Sequence, residues 1–407
     1  MACSRAVEIL SAAFPADRFA LPGTEAYSVS NASYASKMES DISPGAIFLP
    51  ESAEEVSKFV KVIGPIVQSG EVQFAIRGAG CQPLPGCANI QAGITLDLSR
   101  LVGAALDEEK GTVLIAAGER WDAVYRTVHH KGLAVTGGRS GNNGVGGLAF
   151  FDGQIDALVK ELNKPDVSEE THIMISLFFA DQFSKAIGVD GAMGLNQAYY
   201  TQEVEKPAVL KPFTNIQPQI DPLNSMQMTN LVRAAKEQAE QAMTGVRCAY
   251  MNTTVKADAP TLHAATEIFK PALEKVKSID GMVFSFTMQP YPVSLLKRTA
   301  PAGGNVLGLD PADGPLVSIL ILLYWNKQSD DEVVLSTARG VIEAIDKDAT
   351  AKGTLVPYKY LNYAFDFQDP IGSYGPENRK KLQEASRKYD PDGLFQKGVP
   401  GGFKLFS

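Results

Sequence analysis

Two glycine-rich exits from strand-like runs set the narrowest limits on what this chain can fold into. The first is Arg77-Gly78-Ala79-Gly80-Cys81, directly after the apolar run Gln73-Phe-Ala-Ile76. The second spans Gly137 to Gly147, follows Leu133-Ala-Val135, and holds six glycines in eleven positions. Glycine lets successive backbone N–H groups turn toward one concavity, or lets backbone lie against a flat ring with no side chain between. The first run is thus either a phosphate cradle or a tight structural turn, and the second either ligand-contacting backbone or a long loop. The first is not the G-x-G-x-x-G fingerprint of a dinucleotide fold, and no helix clearly follows it.

Around these runs strand and helix alternate. Residues 1–40 read as a helical lead, with Val7, Leu10 and Ala13 on one apolar face. Ala46 to Leu49 is a short strand. Ser52 with Glu55 three residues on forms a capping box that opens a helix whose buried stripe is Val56, Phe59, Val60 and Ile63. Ile94 to Leu98 and Thr112 to Ala116 are strands, and Trp121 to His130 a helix. This is a layered α/β unit over 41–150. Beyond residue 150 the strands lengthen: Ile173–Phe179, Asn196–Tyr200, Cys248–Thr254, Met282–Gln289 and Leu316–Trp325, separated by helices at Leu231–Met243 and Pro260–Val276. That pattern predicts an antiparallel sheet backed by helices over 151–354, so the fold class is α+β.

Composition narrows the function. With 38 basic and 46 acidic residues the net charge is −8, which leaves no basic footprint for nucleic acid and suits a neutral small-molecule ligand. No stretch reaches the ~20 apolar residues of a membrane helix. The N-terminus lacks the long apolar core of a signal peptide, so an intracellular protein is the plainer expectation. Cys3, Cys81, Cys87 and Cys248 show no C-x-x-C spacing, and no metal site is expected. Cys81 and Cys87 share one loop, either paired or as free thiols.

In this order the motifs resemble the berberine-bridge-enzyme-like, oxygen-dependent FAD-linked oxidoreductases, whose flavin domain is of the PCMH type. Pro50-x-Ser52-x-x-Glu55-Val56 is similar to that domain's opening, Ala75-Ile-Arg-Gly-Ala-Gly80 to its first flavin loop, and Gly144-Val-Gly-Gly147 to its second. Tyr360-Leu-Asn-Tyr363, Ser373-Tyr-Gly375, Tyr389-Asp-Pro-Asp-Gly-Leu-Phe395 and Pro400-Gly-Gly-Phe403 look like the closing segment, 355–407, which in the family returns to the flavin domain. The resemblance covers most of residues 25–405.

The resemblance implies a flavoprotein oxidoreductase. FAD takes a hydride from a small organic metabolite, molecular oxygen restores the cofactor, and fungal relatives serve secondary-metabolite pathways. Residues implied at the cofactor are Arg77, Gly78, Ala79, Gly80, Cys81, Gly137, Gly138, Ser140, Gly144, Val145, Gly146, Gly147 and Asn362. Tyr360 is implied as the base toward a substrate hydroxyl, its alternative being a tyrosine merely hydrogen-bonded at a strand edge. Gln289 either faces the substrate pocket or is a surface glutamine. Two departures concern attachment. Cys81 stands where many members have a tethering His, and Ser140 where some have a tethering Cys, so FAD is expected to be non-covalent. The third is larger: Gly147 passes almost at once to Asp152-Gly-Gln-Ile-Asp-Ala-Leu158, which looks like the substrate domain's first helix. The flavin domain is therefore expected to be truncated, with doubtful FAD occupancy. A flavin-free cyclase, isomerase or ligand-binding protein, or an inactive truncated product, is the alternative.

Overall fold

The computed structural model describes residues 2–135, 145–146, 148–187, 191–216, 224–241 and 243–406. The chain forms two compact units. The first comprises Met1–Gly141, Asn230–Val246 and Lys381–Ser407; the second comprises Asn142–Thr229 and Arg247–Lys380.

The first unit is built on a four-stranded sheet of β1 (Phe19–Ala20), β2 (Ala46–Phe48), β3 (Phe74–Arg77) and β4 (Ile94–Asp97), in the order β1-β2-β4-β3. β1 runs antiparallel to β2, while β2, β4 and β3 are parallel. Every residue of β2 and β4 is buried, as parallel strands covered on both faces require. Helix α1 (Ala2–Ala13) supplies Leu10 to the core, and α2 (Ala53–Gln68) supplies Phe59 and Ile63. Phe48 stacks on Phe59 at 4.9 Å, and Phe59 meets Phe74 edge-on at 5.8 Å. Each such buried phenyl contributes about 1.5–3 kcal/mol. The cap at Ser52 forms as expected, its Oγ accepting the Glu55 N–H at 3.1 Å. The reciprocal bond lands one residue early, because the Glu55 carboxylate accepts from the Glu51 N–H at 2.7 Å while also holding Arg18.

A separate two-stranded sheet pairs β5 (Ala104–Asp107) with β6 (Thr112–Ile115). Leu114 there is 78% exposed and Val102, just before β5, is 64% exposed. Helix α3 (Trp121–His129) buries Val124, Tyr125 and Val128 and packs against the helix Leu231–Gln241. The latter helix thus belongs to the first unit, although its place in the sequence suggests the second. Its small Ala234 and Ala235 are the buried positions.

In the second unit every strand pairing among the described residues is antiparallel. The seven-stranded sheet runs β13 (Leu355–Val356), β10 (Arg247–Lys256), β12 (Leu316–Trp325), β11 (Val283–Tyr291), β8 (Thr171–Ala180), β9 (Met193–Tyr200) and β7 (Val145–Gly146). Helix α4 (Leu148–Leu162) precedes β8; α5 (Ala259–Val276) and α6 (Asp331–Lys352) back one face of the sheet. Phe269 of α5 meets Phe284 at 4.8 Å and Phe286 at 5.4 Å, so alternate residues of β11 seal that face. The architecture is the expected one: α+β, with an antiparallel sheet backed by helices.

The C-terminal passage divides between the units. Residues 355–380 cluster with the second, and 381–407 with the first. In the first unit the β3 amide of Phe74 donates to the Gly398 carbonyl at 2.7 Å, and Leu394 joins the core. Gly401 lies so close to this fold that a Cβ there would stand 1.7 Å from the Gly86 oxygen. Among the described residues no helix is long and apolar enough to cross a membrane.

Candidate flavin and substrate sites

β3 ends at Arg77, and the chain turns sharply through Gly78, Ala79 and Gly80. Gly80 has a φ of +69°, a conformation that favours glycine, and its carbonyl accepts the Ala35 N–H at 3.0 Å. The backbone N–H groups of Ala79, Gly80 and Cys81 have no acceptor among the described residues. Consecutive donors around a left-handed residue form a concavity suited to an anion, so this turn fits the pyrophosphate of a dinucleotide cofactor.

The Arg77 side chain is engaged elsewhere. Its guanidinium, 3% exposed, lies 3.4 Å from the Asp97 carboxylate. It also donates to the Ser30 carbonyl at 2.7 Å and the Ser33 hydroxyl at 2.5 Å, and covers the Tyr34 ring at 3.9 Å. Asp97 is held in turn by the Ser30 hydroxyl at 2.8 Å and the Ser99 N–H at 3.0 Å. Arg77 therefore braces the turn from behind, and the backbone of 79–81 presents the donors.

Cys81 and Cys87 are free thiols; Cys81 is exposed. Cys87 donates its S–H to Glu39, whose fully buried carboxylate also accepts the N–H groups of Gly86 at 3.0 Å and Ala88 at 2.9 Å. Burial pushes the Glu39 carboxyl above its ordinary 4.5, with these donors opposing. A raised native pKa adds stability that is fully present below about pH 4.5 and is lost as pH rises through the native value. Glu39→Gln should therefore flatten the stability–pH curve just above pH 4.5, read as the slope of denaturant midpoints rather than their absolute level. An unaltered slope would show that Glu39 is not the titrating group.

Of the second glycine run, Gly137, Gly138, Ser140, Gly144 and Gly147 lie outside the described residues. Val145 and Gly146 form β7, paired with Leu195 and Gly194 of β9.

In the second unit Tyr360 is fastened to the sheet by one side chain. The Tyr360 N–H donates to Asn252 Oδ1 at 2.8 Å, and Asn252 Nδ2 donates to the Tyr360 carbonyl at 3.1 Å. Gln368 makes the matching clamp on the Asn252 backbone, donating to its carbonyl at 2.7 Å and accepting its N–H at 3.2 Å. The Tyr360 phenol, half-buried, accepts a hydrogen bond from exposed Asn362 at 2.9 Å. Its ring meets Tyr363 edge-on at 4.8 Å, and Tyr363 meets Tyr250 at 5.9 Å. Tyr360 and Asn362 are thus brought together on one braced segment.

Gln289 is only 7% exposed, which excludes a surface glutamine. It lies on the sheet face opposite α5, in register with Ser318. Several polar groups on this face escape a reading by motif. Tyr250 and Tyr324 share a hydroxyl–hydroxyl contact of 3.0 Å, and burial raises both phenols. Ser176 and Thr287 share another at 2.8 Å. The signal that could have found them is the alternation Ser285-Phe-Thr-Met-Gln289, which sends polar residues to one face and apolar residues to the other. His263 lies between Asp152 and Asp156 of α4, its ring nitrogens 3.3 and 2.8 Å from their carboxylates, a surface hydrogen-bonding arrangement. Among the described residues no group of three or more acidic, His or Cys side chains could hold a metal ion.

Comparison with known proteins agrees with this geometry. Residues 44–152 match the FAD binding domain family. The FAD-dependent monooxygenase tpcD of Cochliobolus heterostrophus is 26% identical over 427 aligned positions, covering 85% of this chain and 82% of that protein. The FAD-dependent monooxygenase sdcF of Emericella nidulans is 27% identical over 464 positions, covering 96% of each. In fold the chain is similar to the xylooligosaccharide oxidase of Myceliophthora thermophila, with a TM-score of 0.71 at 13% identity over 99% of both chains. FAD is the cofactor these relationships assign, and the 79–81 turn supplies donors that fit it. Residues 44–152 belong to the FAD binding domain family, and over most of its length the chain is similar to fungal FAD-dependent monooxygenases.

Proposed function

We propose that this protein oxidises a small organic metabolite using non-covalently held FAD, with Tyr360 as the base that takes the substrate's hydroxyl proton. The observation that carries the reading is the clamped Tyr360–Asn362 pair. Asn252 fixes the backbone on both sides of Tyr360, and the Asn362 amide occupies one side of the phenol oxygen, leaving the other side to meet a substrate hydroxyl. The backbone N–H groups of Ala79, Gly80 and Cys81 would hold the pyrophosphate, with Arg77 keeping the turn rigid. FAD supplies the hydride acceptor, and molecular oxygen is the proposed oxidant that restores it. The flavin-free alternative is disfavoured by the FAD binding domain match over 44–152.

We also read the flavin domain as internally shortened after Gly147. The alignment with sdcF runs over 464 positions although this chain has 407 residues, so the relative carries dozens of positions opposite gaps here. The two-stranded β5–β6 sheet with its exposed Leu114 supports the same reading, since an isolated pair of strands is marginal without further cover.

Attachment gives the direct test. Bound FAD should leave the chain completely in guanidinium, because Cys81 and Ser140 stand at the two tethering positions. Flavin that stays on the unfolded chain refutes this. Oxidation itself is tested anaerobically: substrate must bleach the bound flavin, and oxygen must restore its colour. Bound flavin that no metabolite bleaches sinks the oxidase reading.

A further inference from the structure

β13 pairs Leu355 with Val255 and Val356 with Thr254 of β10, and there the ladder stops. Pro357 follows, with no backbone N–H to donate, and the described residues show no further ladder pairing before Tyr360. Side chains take over the attachment. Consecutive residues of β10 point to opposite faces of the sheet, and two of them hold two consecutive residues of the departing segment. Asn252 holds the backbone of Tyr360, and Thr253 meets the side chain of Lys359. Lys359 Nζ donates to Thr253 Oγ1 at 2.7 Å and to the two carboxylate oxygens of Asp346 at 3.2 and 2.9 Å. The fully buried Thr253 hydroxyl donates in turn to Asp346. Asp346 belongs to α6, whose Ile342, Ile345 and Ala349 are buried, so its carboxylate stands on a fixed base. The Lys359 N–H donates to Ser373 Oγ at 3.0 Å.

From this we propose that Lys359 is a positioning residue for the base: locked between Thr253 and Asp346, its ammonium fixes the backbone from which the Tyr360 phenol projects. The inference rests on the reading of Tyr360 as the base and adds the residue that places it. The physical reason is the missing ladder. An extended segment with few backbone bonds opens readily, and a charge-assisted contact can hold it where the ladder does not. This ion pair is partly withdrawn from water, its side chains being 14% and 29% exposed, so solvent weakens it less than a surface pair. A displacement of about 1 Å can cost a catalytic group on the order of 10²-fold in rate.

The test begins with Lys359→Met, which removes the ammonium and keeps the aliphatic stem. In the FAD-loaded protein, amide hydrogen exchange at residues 359 and 360 should quicken at least roughly 10-fold while β12 exchanges as before. Lys359→Arg, whose cation can still meet Asp346, should return that exchange toward its original rate. Unchanged exchange in Lys359→Met, or an equal rise in β12, overturns the proposal. Anaerobic reduction of the flavin by benzyl alcohol should slow roughly 10-fold in Lys359→Met, and should not slow further when the change is made in the Tyr360→Phe background. A residue that acts through the phenol has nothing left to place there. Equal slowing in both backgrounds overturns the proposal. If Tyr360→Phe alone leaves reduction untouched, the base reading falls and the inference with it; if Tyr360→Phe slows reduction and Lys359→Met does not, the inference alone falls. Where benzyl alcohol reduces no flavin, the exchange measurement decides. Asp346→Asn, which removes the counter-charge with little change of shape, should show the same pattern, and it decides if Lys359→Met does not fold.

Discussion

Tyr360→Phe should lower turnover by about 10²–10⁴, the usual contribution of a general base. The substitution removes one oxygen from a half-buried ring whose position is set by other groups. Asn252 holds the backbone of residue 360, and Tyr363 holds the edge of its ring, so neither the fold nor the local geometry should change. FAD content should also be unaffected. The loss should therefore fall on kcat, with KM nearly constant, as expected when an interaction made only in the transition state is removed. Stopped-flow reduction of the flavin isolates the step. A variant that reduces its flavin at the original rate would leave Tyr360 as a packing residue. Asn362→Ala should cost less than Tyr360→Phe, since the base would remain while its orientation loosened.

A second large effect is expected where no chemistry occurs. Arg77→Met should destabilise the first unit by about 3–5 kcal/mol, the cost of breaking a buried ion pair from one side. The Asp97 carboxylate would stay buried without its guanidinium, and Ser30, Ser33 and Tyr34 would lose a shared partner. That loss is comparable to the ~5–15 kcal/mol net stability of a typical domain. Chemical denaturation followed by tryptophan fluorescence measures it, Trp121 lying in this unit and Trp325 in the other. A variant of unchanged stability with weakened FAD binding would reassign the guanidinium to the cofactor.

These two residues also show how much of the fold and of the site is legible in the sequence. Strands with strong local patterns were legible: Leu316–Trp325 is found at the expected residues, and the others fall within a few residues of theirs. Tyr360 and Asn362 came from a short motif, and their hydrogen bond lies within that motif. The clamp that positions them did not, because Asn252 is more than one hundred residues away, on β10. Asn252 is fully buried. Arg77 was legible as a flavin-loop residue, but the inward course of its side chain depends on Asp97 and Ser30, brought near only by folding. Two helices left unassigned have physical explanations. Pro376–Tyr389 has no buried residue and so no apolar stripe to read. Asp331–Lys352 fills two of its six buried positions with alanine, Ala338 and Ala349, each beside a threonine and a charged residue.

The way the large sheet ends has a consequence for behaviour in concentrated solution. Among the described residues its outermost strands, Val145–Gly146 and Leu355–Val356, are two residues each, although the five between them run from eight to ten. A foreign strand recruited to either terminal strand itself would find only two residues of backbone to bond. Short edges of this kind are a recognised protection against stacking between molecules. The apolar interior of this sheet, with runs such as Ile319-Leu-Ile-Leu-Leu323, would assemble readily if it stood at a margin; held centrally, it stays out of reach of other molecules.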